Sequence, residues 1–132
     1  MNYTIDDNHF SLDKFTLAYI ECALWSSTDE DGTSLDHIFD IHDFHHEAIH
    51  QMSRDCDAFR TCIGMTDKEI AILINCELGG ADFWLTRNHH GSGFWDADYL
   101  PNQHWGDEVT KHAHTFGECS LAVNDDGKIC LA

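Results

Sequence analysis

Residues 81–98 read ADFWLTRNHHGSGFWDAD, and the secondary structure assigned to this stretch decides the fold. From Asp82 to Asn88, Phe83 and Leu85 alternate with Trp84 and Thr86, the period of a β-strand. HHGSG then supplies the residues of a turn, and Gly93 to Asp96 starts a returning strand. The expectation is an aromatic-anchored hairpin carrying Phe83, Trp84, Phe94 and Trp95 and, at its tip, Arg87, one of only 7 Lys and Arg side chains. Arg87, Asn88, His89 and His90 gather at that tip with Asp96 across the turn, making it the candidate binding site. A His beside a carboxylate can serve as general acid or base, and an Arg can hold an anion. No Ser or Cys stands in a nucleophile context, so no catalytic triad is assembled. The alternatives are a partner-binding loop, or a structural hairpin in which Arg87 pairs with Asp96 or a neighbouring acid.

Upstream, the pattern predicts three helices. Ser11 can cap the first, whose apolar positions Phe15, Ala18, Cys22 and Trp25 recur at three and four, widened by Leu17, Ile20 and Leu24. The acidic stretch SSTDEDGTSLD follows as a loop around Gly32. It does not form a calcium loop, because Ile38 stands where the bidentate Glu would be required. The second helix runs from Ile41 to Ile63 on a seam of Ile41, Phe44, Ala48, Met52, Cys56, Phe59 and Ile63, with Gly64 as its end. Thr66 and Glu69 then make a capping-box pattern ahead of IAILINCEL, and Gly79-Gly80 close the third helix. Downstream of the hairpin, Pro101 opens a helix with Trp105, Val109, Ala113 and Phe116 that Gly117 ends. CSLAVNDDGKICLA is a second hairpin turning at Asp126-Gly127. The predicted fold is α+β: three N-terminal helices, then hairpin, helix and hairpin, the hairpins forming a small antiparallel sheet covered by helices. Residues 1–132 read as one domain, with 1–10 a loose leader.

Composition narrows the function classes. A chain of 132 residues with 42% hydrophobic content can bury a real core. The 24 carboxylates against 7 cations give a formal net charge of -17. Direct binding to nucleic acid is excluded on that balance, since such affinity comes from Lys and Arg displacing counterions. An acidic surface can instead attract a protein that binds nucleic acid; adaptation to high salt is the other reading of the charge. The 6 cysteines fall in predicted helices and strands, where reduced Cys behaves as a small hydrophobe. MNYTIDDNHF has no secretory signal pattern and no apolar run reaches membrane-spanning length, so a reducing cytosol is the expected setting.

His46-Glu47-Ala48-Ile49-His50 matches the HExxH pattern, in which two His one turn apart bind zinc and the Glu activates the metal-bound water. A zinc-dependent hydrolase using His46, Glu47 and His50 is therefore the alternative reading, with zinc as its cofactor. The helical wheel argues against it: both His lie roughly 140° to 180° from the apolar seam and face solvent. Cys56 sits where an elongated motif would place a third ligand, but it falls on that seam.

The segments Ala18–Ser27, Asp55-Cys56 with Phe59, DFWLTRN at 82–88, His90-Gly91, GFWD at 93–96, Phe116-Gly117-Glu118 and Asp126–Ile129 together resemble a family of short uncharacterised proteins of bacteriophages and prophages. The resemblance spans most of the chain after residue 15. This chain departs from it at His89, where that family is expected to carry Gly, and in its histidine-rich second helix. The resemblance implies a phage protein in the host-cell cytoplasm, engaged in host takeover or counter-defence. The preferred reading is a non-enzymatic accessory protein, without cofactor, that binds a host or phage protein through an acidic surface imitating nucleic acid. A structural phage component is the remaining alternative.

Overall fold

Helices in this chain begin where a short polar side chain can take the first unpaired amide. The computed structural model of the protein describes residues 3–5 and 10–132. Asp13 accepts from the Thr16 amide at 2.8 Å and opens α1 (Lys14–Ser26), so Asp13 and not Ser11 is the cap. Ahead of it β1 (Tyr3–Ile5) and β2 (Phe10–Leu12) pair antiparallel, Tyr3 opposite Leu12. The leader expected over residues 1–10 falls in part (1, 2 and 6–9) outside the described residues; the rest of it belongs to these two strands. Next come α2 (His46–Thr66), α3 (Lys68–Ile74), α4 (Glu77–Arg87), α5 (Gln103–His114), and the pair β3 (Leu121–Val123) and β4 (Ile129–Leu131).

The decisive stretch is not a hairpin. Residues 82–87 lie in α4, and Phe94–Asp96 form a single 3-10 turn. The alternation was misleading because Phe83, Trp84, Leu85, Thr86 and Arg87 are all buried: a helix covered on every side shows no 3.6-residue signal. Gly79 and Gly80 do not end a helix either. They lie in the first turns of α4, where a Cβ on Gly80 would stand 2.0 Å from the Phe15 carbonyl oxygen and one on Gly79 1.8 Å from that of Ile74. The missing side chains let α4 cross directly on α1. At the other end, the His89 amide donates to the Thr86 carbonyl at 3.1 Å and the His90 amide to Leu85 at 3.0 Å. This is the Schellman termination, in which the residue after the cap adopts left-handed backbone. That residue is His89, at φ 57, among the described residues the non-glycine with positive φ.

The second-helix seam is buried as expected, but the helix starts later. Ile41–Asp43 form a 3-10 turn closed by a capping box between Asp40 and Asp43. Phe44 then bridges Ile129 of β4, and His45 caps α2. Gly64 lies inside α2, and Asp67, not Thr66, both ends α2 and caps α3. IAILINCEL is interrupted, with Cys76 capping α4 through its sulfur. Trp25, expected in the core, is 52% exposed. The downstream helix stands as read, with Asn102 as cap and Gly117 at φ 75 beyond its end. The second hairpin turns at Gly127, φ 82. The protein is thus mainly helical with small antiparallel pairs: the expected sheet of two hairpins does not form, because the first is helical, and β3–β4 and the N-terminal β1–β2 are separate two-stranded sheets.

Aromatic rings from five segments fill the centre. Phe59 of α2 and Phe83 of α4 stack at 4.1 Å and 7°, Phe94 packs on Phe59 at 5.5 Å, and Phe116 meets Phe83 edge-on at 5.2 Å. Tyr19 of α1 lies 5.1 Å from Phe83 and edge-on to Trp84 at 5.4 Å.

Three substitutions at two positions test these assignments. Gly80→Ala should cost about 3 kcal/mol of unfolding free energy in denaturant titration, because its methyl meets α1 backbone rather than a side chain that can move. His89→Gly should gain roughly 0.5–1 kcal/mol, the left-handed strain of an L-residue less the entropy cost of glycine. His89→Ala keeps the strain and loses the ring contact with His114, 4.4 Å between centroids, so it should bring no gain.

Candidate functional site

Arg87 is 4% exposed at the last turn of α4. Its Nε donates to the Gly117 carbonyl at 2.8 Å and one terminal nitrogen to that of Phe116 at 2.9 Å. The other terminal nitrogen donates to the Tyr19 hydroxyl at 3.0 Å and to Asp55 Oδ2 at 2.8 Å. Burial works against its charge, but Tyr19 and Asp55 outweigh it and hold the guanidinium above its ordinary pKa. Burial pushes the Tyr19 phenol well above its usual value against the pull of Arg87, so Tyr19 stays a neutral acceptor. Asp55 is oriented by Gln51, whose amide donates to Oδ1 at 2.8 Å. Arg87 therefore does not sit at an exposed tip and does not pair with Asp96. It pairs with the neighbouring acid Asp55 and joins α1, α2, α4 and the end of α5.

The structure disperses the other residues of the expected tip. Asn88 is structural: its amide donates to the Trp84 carbonyl at 3.0 Å and its oxygen accepts from the Cys119 amide at 2.7 Å. His89 is exposed and His90 half-buried. Asp96 Oδ1 accepts from the Gly93 amide at 3.2 Å, closing its own turn. Near it, burial raises the Asp82 carboxyl, partly offset by the Tyr99 hydroxyl donating to it at 2.7 Å.

His46, Glu47 and His50 are exposed on the first turns of α2. The two rings lie 6.3 Å apart and nearly perpendicular, and His46 stacks on His45 at 5.1 Å. Among the described residues no group of three or more His, Cys, Asp or Glu could hold a metal ion. Cys56 is fully buried, and burial drives its thiol pKa far up. The described residues do not make a zinc-peptidase ligand set around His46, Glu47 and His50.

Surface grooves point to a different region. One, of about 400 Å³, lies between α1 and residues 36–42; Leu17, Leu24 and Phe39 give it an apolar floor, and Glu21, Asp36 and Asp40 an acidic rim. A second, of about 480 Å³, continues on the far side of Phe39 to β3; Leu35 and Ile38 line it with Asp29, Glu30 and Asp31. Neither groove has a Lys or Arg in its lining. Asp29 is held by the loop, accepting from the Asp31 and Thr33 amides at 2.9 Å. The sequence showed the acids of this loop but not β3 beside them, which is remote in the chain. Burial raises Glu21, with Glu77 adding repulsion.

Arg87 and Arg60 are turned toward the protein interior, while Arg54 is exposed and donates to the Gln51 side-chain oxygen at 2.8 Å. Arg60 donates to Asp13 and Asp57 at 2.7 Å each and to Asn75 at 3.1 Å, with its guanidinium 4.6 Å from the Phe15 ring centre. The 6 cysteines are free, and no described helix is long and apolar enough to cross a membrane. No protein-family model matches the chain, and no curated protein or solved structure matches it either.

Burial alone would raise Asp13, but the Thr16 amide and Arg60 overcome that and lower it. A carboxyl with a lowered folded pKa contributes stability above its unfolded value of about 3.9, lost as pH falls through the folded pKa. Asp13→Asn retains a good helix cap, so it should lower the unfolding midpoint at neutral pH. The gap to wild type should close as pH drops below the carboxylate range in a thermal-melt series.

Proposed function

We propose that this chain is a non-enzymatic phage accessory protein that acts in the host cytoplasm by binding a host or phage protein through an acidic surface in place of nucleic acid. The observation that carries this reading is the pair of grooves meeting at Phe39, whose apolar floors are rimmed by carboxylates with no Lys or Arg. Arg87 and Arg60 are engaged by Asp55, Asp13 and Asp57, and Lys111 lies 3.4 Å from Glu108, so several of the few cations are already matched. A negative field of this kind speeds encounter with a basic partner, and the apolar floor supplies contact area once the partner is seated. The phage setting rests on the resemblance of 82–96 and its flanking segments to phage and prophage proteins.

The immobilised protein should capture nucleic-acid-binding proteins from bacterial lysate at low salt, and lose them as salt shortens the screening length below about 10 Å. Added duplex DNA should compete for them. Partners that stay bound at high salt and ignore DNA would contradict this reading.

A further inference from the structure

The outer edge of β3 forms one wall of the groove beyond Phe39, and its hydrogen-bonding groups are open. The Ala132 amide donates to the Ser120 carbonyl at 2.9 Å and the Asn124 amide to that of Lys128 at 2.8 Å. Residues 120/132 and 124/128 are therefore hydrogen-bonded pairs, and alternation makes 122/130 the third. Leu121 opposite Leu131 and Val123 opposite Ile129 are the non-bonded pairs, whose N–H and C=O groups point away from the partner strand. On β4 this is visible directly, since the outward Ile129 carbonyl accepts from the His45 amide at 2.8 Å. On β3 the same alternation turns the N–H and C=O of Leu121 and Val123 outward, and among the described residues they have no backbone partner.

The groove lies against this edge. Leu121, Ala122 and Val123 all line it, and consecutive residues pointing to opposite faces can share one groove only where it meets the strand's side. Ile38 is 53% and Val123 45% exposed beside it. An unprotected strand edge is a template for another strand. Asp29, Glu30 and Asp31 at the groove rim decide which. A second copy of a chain with net charge -17 is repelled there, whereas Lys or Arg side chains are attracted.

We infer that β3 accepts an extended segment of a partner protein in which apolar and basic residues alternate, the backbone bonding to Leu121 and Val123, the apolar side chains entering the groove and the basic ones meeting Asp29–Asp31. This rests on the proposed protein-binding function and names where and how the partner docks.

The test uses the full chain with a synthetic peptide alternating Lys and Val, and a control peptide of the same composition with the Lys and Val in separate blocks. Hydrogen exchange followed by NMR should show the alternating peptide protecting the Leu121 and Val123 amides by roughly tenfold or more. The Ala122 amide, already directed into the hairpin, should change little and reports that the hairpin stays folded. Val123→Pro removes one outward donor and should weaken the peptide by about tenfold, while Val123→Thr should not. Glu30→Gln with Asp31→Asn should weaken it and flatten its salt dependence. Binding without protection at Leu121 and Val123, or equal binding of the block peptide, overturns the edge inference. It leaves the acidic-surface reading standing if lysate capture remains salt-sensitive. Failure of both the peptides and the capture removes both.

Discussion

One buried cation holds the ends of this fold together. A guanidinium removed from water is tolerated only when its donors are matched, and four hydrogen bonds account for all but one of the donors on Arg87. The acceptors come from three parts of the chain: Tyr19 on α1, Asp55 on α2, and the Phe116 and Gly117 carbonyls after α5. Those two carbonyls lie just past the Thr115 cap of α5, so Arg87 ties down the chain that leaves that helix. Among the described residues no buried side-chain nitrogen or oxygen lacks a partner, which places the node in a fully satisfied interior. The rings of Phe83 and Phe116 lie 5.7 and 5.8 Å from the guanidinium carbon, joining it to the aromatic stack.

The node needs α1 and α4 close together, and Gly79-Gly80 allow that approach. With α4 seated on α1, Trp84 reaches the Ser26 hydroxyl at 2.9 Å, and Thr86 Oγ1 accepts from the Phe94 amide at 3.0 Å. Phe94 is thereby placed against Phe59. The path from the glycine pair to α4, to Arg87 and to the chain's last third is continuous through packed groups.

What the sequence made legible follows from where each side chain ends up. α2 and α5 are helices buried on one side, and their spacing of three and four marked them, although Ile41 and Phe44 of the α2 seam lie ahead of the helix. Asp126-Gly127 marked the last turn because left-handed backbone there favours glycine. The misread segment is the fully buried one, where periodicity carries no information and Gly79-Gly80 looked like a stop rather than a contact. The candidate tip then failed as a unit: Arg87 and Asn88 went inside and Asp96 went to its own turn. His89 fell on a left-handed backbone position that favours glycine. The grooves were not legible, since one packs α1 against residues 36–42 and the other brings residues 28–39 next to 121–123.

The most direct test of this account is a double-mutant cycle on Arg87 and Asp55 by equilibrium unfolding. Arg87→Met and Asp55→Leu should each cost about 3–5 kcal/mol by stranding a buried charge. The double mutant should recover roughly 2 kcal/mol or more of their sum, because no unpaired charge remains. Additive losses, or an Arg87→Met protein as stable as wild type, would show that the fold does not depend on this pair.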